Sequence, residues 1–187
     1  HFEPGYALAA SDPFPKRVGK DTLYNKIIED LGVAADLVPW RDELAAIGDA
    51  TDERITKATV KGLRARIALF RGGYSLRQSG TIQRSADYLQ YYQIARNECN
   101  DIIASGKHTL NPSYKALWKD QVCARAIADP QGELLFQATG IGGGSIADTK
   151  LGYYNGPRVN NLGNSSINPL ITYFYLFDSL DSRRDVT

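Results

Sequence analysis

The stretch from Tyr91 to Trp118, YYQIARNECNDIIASGKHTLNPSYKALW, constrains the fold more than any other part of the chain, because it holds a helix, its stop signal and spaced aromatic anchors in order. Apolar or small side chains stand at Tyr88, Tyr91, Ala95, Cys99, Ile102 and Ile103. That three-and-four spacing lines one face of an α-helix and turns Arg96, Asn97, Asn100 and Asp101 to water. A helix buried along one side is expected, with Cys99 inside it as an inert small hydrophobe. Gly106 supplies the residue type that commonly closes a helix, and Pro112 blocks continuation. The chain must turn before Tyr114, Leu117 and Trp118.

Two further helices precede this one. Asp21 and Thr22 can cap a helix whose apolar stripe is Leu23, Tyr24, Ile27, Ile28 and Leu31, running on through Ala34 and Ala35 until Pro39 interrupts it and leaves Trp40 in a connection. Thr51 to Arg71 reads as a second long helix, with Val60, Leu63, Ile67 and Phe70 on one face and Ala58, Gly62, Ala65 and Leu69 on the adjoining one. Gly72 and Gly73 end it, and a polar connection from Ser75 to Arg84 follows. After Asp129 the character changes. Residues 133–139, ELLFQAT, suit a strand or extended segment, residues 140–169 form a loop rich in Gly, Asn and Ser, and an apolar run from Leu170 to Phe177 closes with DSLDSRRD.

With 187 residues, 43% hydrophobic and 23% charged, the chain can bury one core, and a single soluble domain is expected. Residues 1–129 read as mainly helical and 130–187 as a loop-rich segment. The 22 basic and 21 acidic residues are mixed along the chain, so neither a nucleic-acid footprint nor a basic membrane patch stands out. No run approaches the roughly 20 apolar residues that span a bilayer. The lack of Met and the irregular opening HFEPGYALAASDPFPKR point to a fragment of a longer protein. Cys99 and Cys123, with only His1 and His108 to assist them, lack the spacing of a zinc site, so no metal and no thiol catalysis are expected. Whether the two cysteines bridge is not decided by spacing.

Successive amphipathic helices with small residues on one and aromatics on the other resemble tetratricopeptide helix pairs. The connection from Gly72 to Ser85 is longer than the turn inside a repeat of about 34 residues, so an irregular helical array is expected. Five segments in order carry a wider resemblance: YNKIIEDL at 24–31, RITKATVKGLRARIAL at 54–69, NECNDIIASGKHTL at 97–110 with Tyr114 and Trp118 behind it, ELLF at 133–136, and FDSLDSRR at 177–184. Together they resemble the SusD/RagB family, over most of the chain from Asp21 but only a central portion of such a protein. The resemblance implies a mostly helical, non-enzymatic lipoprotein at the outer-membrane cell surface. It also implies that the protein captures glycans as the lid of a SusC-like TonB-dependent transporter. The lipid anchor lies outside this segment, and no cofactor is implied.

Glycan binding needs flat rings to stack on the sugar's C–H face and planar amides or guanidinium groups to match paired hydroxyls. Tyr153, Tyr154, Asn155, Arg158 and Asn160 offer both kinds within one loop and form the candidate site. The competing reading has one tyrosine anchoring the loop while the asparagines satisfy turn backbone. Trp118 is expected in the core. Trp40 is expected to pack over neighbouring helices and stands as an outside candidate. The glycine string at 139–145, TGIGGGS, lacks the Lys-Ser/Thr ending of a phosphate loop and the third Rossmann glycine, which speaks against nucleotide binding. Asp178, Asp181 and Asp185 invite comparison with glycosidase carboxylates. Arg183 and Arg184 beside them favour a structural ion-pair cluster instead, and Glu133 is a lone acid, so no catalytic residue is assigned.

Overall fold

The computed structural model describes residues 17–48, 54–77, 79–122, 129, 131–136, 154–155, 158, 160–161, 163–166 and 168–184. These are mostly helical, 55% helix against 3% strand, which places the chain in the mostly-α class. The elements run α1 (Lys20–Leu37), a 3-10 helix (Arg41–Ile47), α2 (Lys57–Gly72), β1 (Ser75–Leu76), β2 (Ile82–Gln83), α3 (Tyr88–Ala104), a π-helical turn (Ala116–Val122) and α4 (Ile171–Phe174). Among the described residues no helix is long and apolar enough to cross a membrane. The chain divides into two compact units: one built from residues up to Leu37 with Lys61–Cys99, the other from Val38–Val60 with the chain from Asn100 on.

In the first unit α1, α2 and α3 each contribute to one core of Ile28, Ala65, Ala68, Tyr91 and Ala95, with Ile67 and Ile94 packed against it. The buried residues of α2 are Ala58, Val60, Ala65 and Ala68, mostly small and not confined to either expected face. Leu63 and Phe70, expected on the buried stripe, are 47% and 55% exposed. Alanines at Ala65 and Ala68 let another helix approach closely, which long side chains would prevent. Asp21 and Thr22 lie inside the first turn of α1 rather than capping it, and Asp21 instead accepts from Arg77 Nη1 at 2.7 Å. The polar connection after α2 holds a short antiparallel hairpin, Ser75 opposite Gln83 and Leu76 opposite Ile82, which periodicity over two residues cannot announce.

Buried charge organises this unit. Glu98 is buried on α3 along with Tyr91 and Ala95, whereas Cys99, expected inside, is exposed. Glu98 accepts from Lys61 Nζ at 2.8 Å and from Arg64 Nη1, while Arg64 Nε donates to the Ile28 carbonyl at 2.9 Å. Arg71, 4% exposed, donates to Asn25 Oδ1, Ser85 Oγ and Asp87, and its guanidinium lies 4.3 Å from the Tyr91 ring centroid. Asn25 Oδ1 also accepts from the Tyr91 hydroxyl at 2.8 Å. Ser85 first, and Arg71 next, hold the Asp87 carboxyl below its ordinary value.

At the end of α2 a Cβ on Gly72 would sit 2.8 Å from Tyr92 Cε1 and 3.0 Å from the Tyr88 carbonyl oxygen. The ring can give way, but the backbone oxygen cannot. Gly72→Ala is therefore expected to destabilise the protein by about 1–3 kcal/mol, read as a lower urea midpoint at unchanged slope. An unchanged midpoint would mean the helix end shifts freely.

The second unit buries Leu44, Ala58, Val60 and Leu117. The helix expected from Thr51 begins at Lys57, where Thr56 caps it. The Thr59 amide donates to Thr56 Oγ1 at 3.4 Å and the Thr56 amide to Thr59 Oγ1 at 3.2 Å, a reciprocal capping box built from two threonines. Thr59 Oγ1 spends its own proton on the Leu135 carbonyl at 2.5 Å. Gly106 has a left-handed backbone, φ 65°, and closes α3 as its sequence position suggests. Residues 133–136 are not a strand. Their polar groups go elsewhere: Glu133 accepts from the Asn111 amide at 2.7 Å, and the Leu134 amide donates to Asp129 Oδ2 at 2.8 Å. Residues 137–139 lie outside the described residues.

Candidate functional site

Of the five residues proposed from sequence, Tyr154, Asn155, Arg158 and Asn160 are described and all are exposed, Tyr154 to 47%. Tyr153 lies outside the described residues, as do the glycine string, Cys123, His1 and Asp185. Tyr154 and Asn155 have helical backbone, and the Ser166 amide donates to the Tyr154 carbonyl at 2.8 Å, tying Ser166 back to this position. Asn160 and Asn161 both take left-handed backbones, φ 51° and 64°. Asparagine tolerates that region because its short amide bonds locally, so Asn160 serves the turn whatever else its amide meets. Farther on, Asn168 Nδ2 donates to the Ser165 carbonyl at 2.9 Å, a further turn closure.

Asp178 and Asp181 are engaged in local bonds. Arg183 Nε donates to Asp181 at 2.9 Å and Arg183 Nη2 at 2.5 Å, and the Arg183 amide adds a bond of 3.0 Å. Asp178 accepts from the Leu180 amide at 2.8 Å. The Arg183 side chain, then its amide, pull the Asp181 carboxyl from 3.8 down to about 2. An acid held that low stays ionised near neutral pH and is unsuited to donate a proton. Because the folded value lies below the unfolded one, the pair's contribution is present above 3.8 and fades as pH falls toward about 2. Carboxyl NMR titration should place Asp181 at about 2 and, in Arg183→Ala, clearly higher, the amide bond alone remaining to hold it down. A value near 3.8 in the parent protein overturns the pairing.

Both tryptophans differ from simple core residues. Trp118 is 39% exposed, and it is Leu117, at 2%, that fills the core; Trp118 lies against Tyr114, ring centroids 6.0 Å apart. The π-helical turn presents these two neighbours in opposite senses.

Trp40 is half-buried at the start of the 3-10 helix, where the Glu43 carboxylate reaches back to the Trp40 amide at 2.8 Å. Two ammonium groups approach its ring, Lys57 Nζ and Lys107 Nζ, each 5.8 Å from the centroid. Lys107 also donates to both oxygens of Asp42 at 2.5 Å, and that bond holds the Asp42 carboxyl below its ordinary value. Arg41 Nη2 donates to the Asp129 carbonyl, which directs the guanidinium, and Gly132 packs against both Arg41 and His108. The His108 Nδ1–H donates to the Gly132 carbonyl at 2.7 Å. A cleft of about 370 Å³ is lined by Arg41, Asp42, Gly106 and Lys107. Sequence reasoning singled out Trp40 alone here. Its charged neighbours arrive from α2 and from the turn after α3, and no local spacing links those segments.

Among the described residues no three His, Cys, Asp or Glu side chains are grouped to hold a metal ion. No family model, curated protein or solved structure matches the chain.

Proposed function

We propose that this chain is the central part of a non-enzymatic, cell-surface glycan-binding protein of the SusD/RagB kind. Its irregular, tetratricopeptide-like helix pairs support the binding loops. In this reading the whole protein is lipid-anchored at the outer membrane and hands oligosaccharides to a SusC-like TonB-dependent transporter. The observation that carries the reading is the exposure of Tyr154 together with Asn155, Arg158 and Asn160 in one short stretch. An aromatic ring beside amide and guanidinium groups is the chemistry that sugars require. The ordered resemblance of five segments and the mostly helical class support it further.

A second reading, a helical scaffold that binds only protein, draws on the exposed apolar run around α4, where Leu170, Ile171, Tyr175 and Leu176 are each about three-quarters exposed or more. Titration of the full-length mature protein against a glycan array, followed by calorimetry on the hits, separates the two. Saccharide binding lost in a Tyr153→Ala/Tyr154→Ala double variant supports the glycan reading and its placement. Full retention in that variant moves the site elsewhere, and absence of any saccharide binding leaves the scaffold.

A further inference from the structure

We infer that one face of the hairpin formed by β1 and β2 docks an extended segment of a partner protein, one that carries a carboxylate and, two positions away, an apolar side chain; this stands apart from the glycan-binding reading above. Ser75 pairs with Gln83 and Leu76 with Ile82, and the Arg77 amide continues the ladder to the Thr81 carbonyl at 2.9 Å. Side chains alternate along a strand, so Tyr74 and Arg84 fall on the same side as Leu76 and Ile82. The Arg84 guanidinium lies 5.0 Å from the Tyr74 ring centroid and 3.5 Å from that of Tyr88. On this face Tyr74 is 66% exposed, Leu76 70% and Ile82 71%.

Charge decides what the segment must carry. Of the neighbouring acids, Asp21 pairs with Arg77 at 2.7 Å and Asp87 with Arg71 at 3.0 Å. Among the described residues Arg84 has neither a hydrogen bond nor an ion pair. The two tyrosine rings hold its guanidinium by cation–π attraction, which leaves the N–H donors for an acceptor from outside, and a carboxylate matches them best. Leu76 and Ile82 follow one side-chain repeat along the ribbon, roughly 7 Å away. An extended segment has the same repeat, so a carboxylate over Arg84 brings the side chain two positions on over Leu76 and Ile82. Those aliphatic side chains favour an apolar partner, and Tyr and Arg are the residues enriched where proteins meet.

The full-length mature protein is screened against acetylated heptapeptides with Glu at the centre, Val, Ile, Leu or Phe two positions to either side and Ser or Thr elsewhere. Each is set beside its Gln-centred and Lys-centred counterparts. Fluorescence anisotropy is expected to show at least one Glu-centred peptide binding about tenfold more tightly than its Gln counterpart at low ionic strength, with the preference shrinking as salt shortens the screening length. Leu76→Ser should weaken that peptide several-fold. Arg84→Gln should remove the preference, and Arg84→Glu should transfer it to the Lys-centred form, a gain that misfolding does not produce. No binding by any Glu-centred peptide, equal binding of Glu and Gln forms, or a preference that Arg84→Glu leaves unchanged overturns this surface. Self-association that Leu76→Ser abolishes, without peptide binding, places a second copy there and overturns the partner. None of these outcomes touches the glycan reading, which is tested at Tyr153 and Tyr154.

Discussion

Glu98→Ala is expected to destabilise the protein by about 3 kcal/mol, at the lower end of the range of about 3–5 for breaking a buried ion pair. The Glu98 side chain is 6% exposed and is the shared acceptor of Lys61 and Arg64, whose side chains are 16% and 24% exposed. Its removal takes from Lys61 and Arg64 the carboxylate that they share. Partial access to water lets both recover some hydration, which keeps the loss toward the lower figure. Urea unfolding measures it directly. A triple variant, Glu98→Leu with Lys61→Met and Arg64→Met, should recover most of the loss, because a neutral, well-packed trio carries no desolvation cost. A loss below about 1 kcal/mol in Glu98→Ala would mean that the cluster is a solvated surface pair.

Leu44→Ala is expected to cost about 3 kcal/mol, within the range of about 2–5 for deleting a fully buried leucine side chain. Leu44 is completely inaccessible and sits in the 3-10 helix that also carries Arg41 and Asp42. The cavity it leaves should loosen that short helix, which has few backbone bonds of its own. The consequence reaches the Trp40 cleft: Asp42, held below its ordinary value by the Lys107 bond, should return toward that value as the pair loosens. Carboxyl NMR of the variant reads this independently of global stability. A large stability loss with Asp42 unmoved would show that the core leucine and the cleft are uncoupled.

Much of the local architecture was legible in the chain. The long helices after Lys20 and Tyr88, the interruption at Pro39 and the turn at Gly106 all follow from residue-scale chemistry: apolar spacing, a missing amide proton, a permissive left-handed backbone. The burial of Glu98 rather than Cys99 on α3 did not follow. Tyr91, Ala95 and Glu98 fall on one stripe, with Cys99 one position beyond, and hydrophobicity alone prefers the cysteine. The carboxylate wins because Lys61 and Arg64 meet it across the helix pair, and a neutralised charge can be buried. On α2 both faces could be written down from sequence. The buried set, three alanines and Val60, follows neither whole face, because close helix approach needs small side chains, and Leu63 and Phe70 were left outside.

The candidate site divides in the same way. Exposure of Tyr154, Asn155, Arg158 and Asn160 agrees with a polar, glycine-rich composition, which favours surface loops. The left-handed backbone at Asn160 is again local chemistry. The surroundings of Trp40 were invisible, since Lys57 and Lys107 come from distant positions and only folding brings both ammonium groups to one ring. Trp118 shows the converse, a large ring expected inside but left 39% exposed because its neighbour Leu117 takes the inward position.

By itself the sequence determined where the chain can be helical, where it must turn and which residue types are available for sugar chemistry, because those properties act over a few neighbouring residues. Tertiary structure alone decided which helix faces are buried, which charges neutralise one another and which cations gather beside Trp40. Those outcomes depend on contacts between segments far apart in the chain, and no local periodicity encodes them.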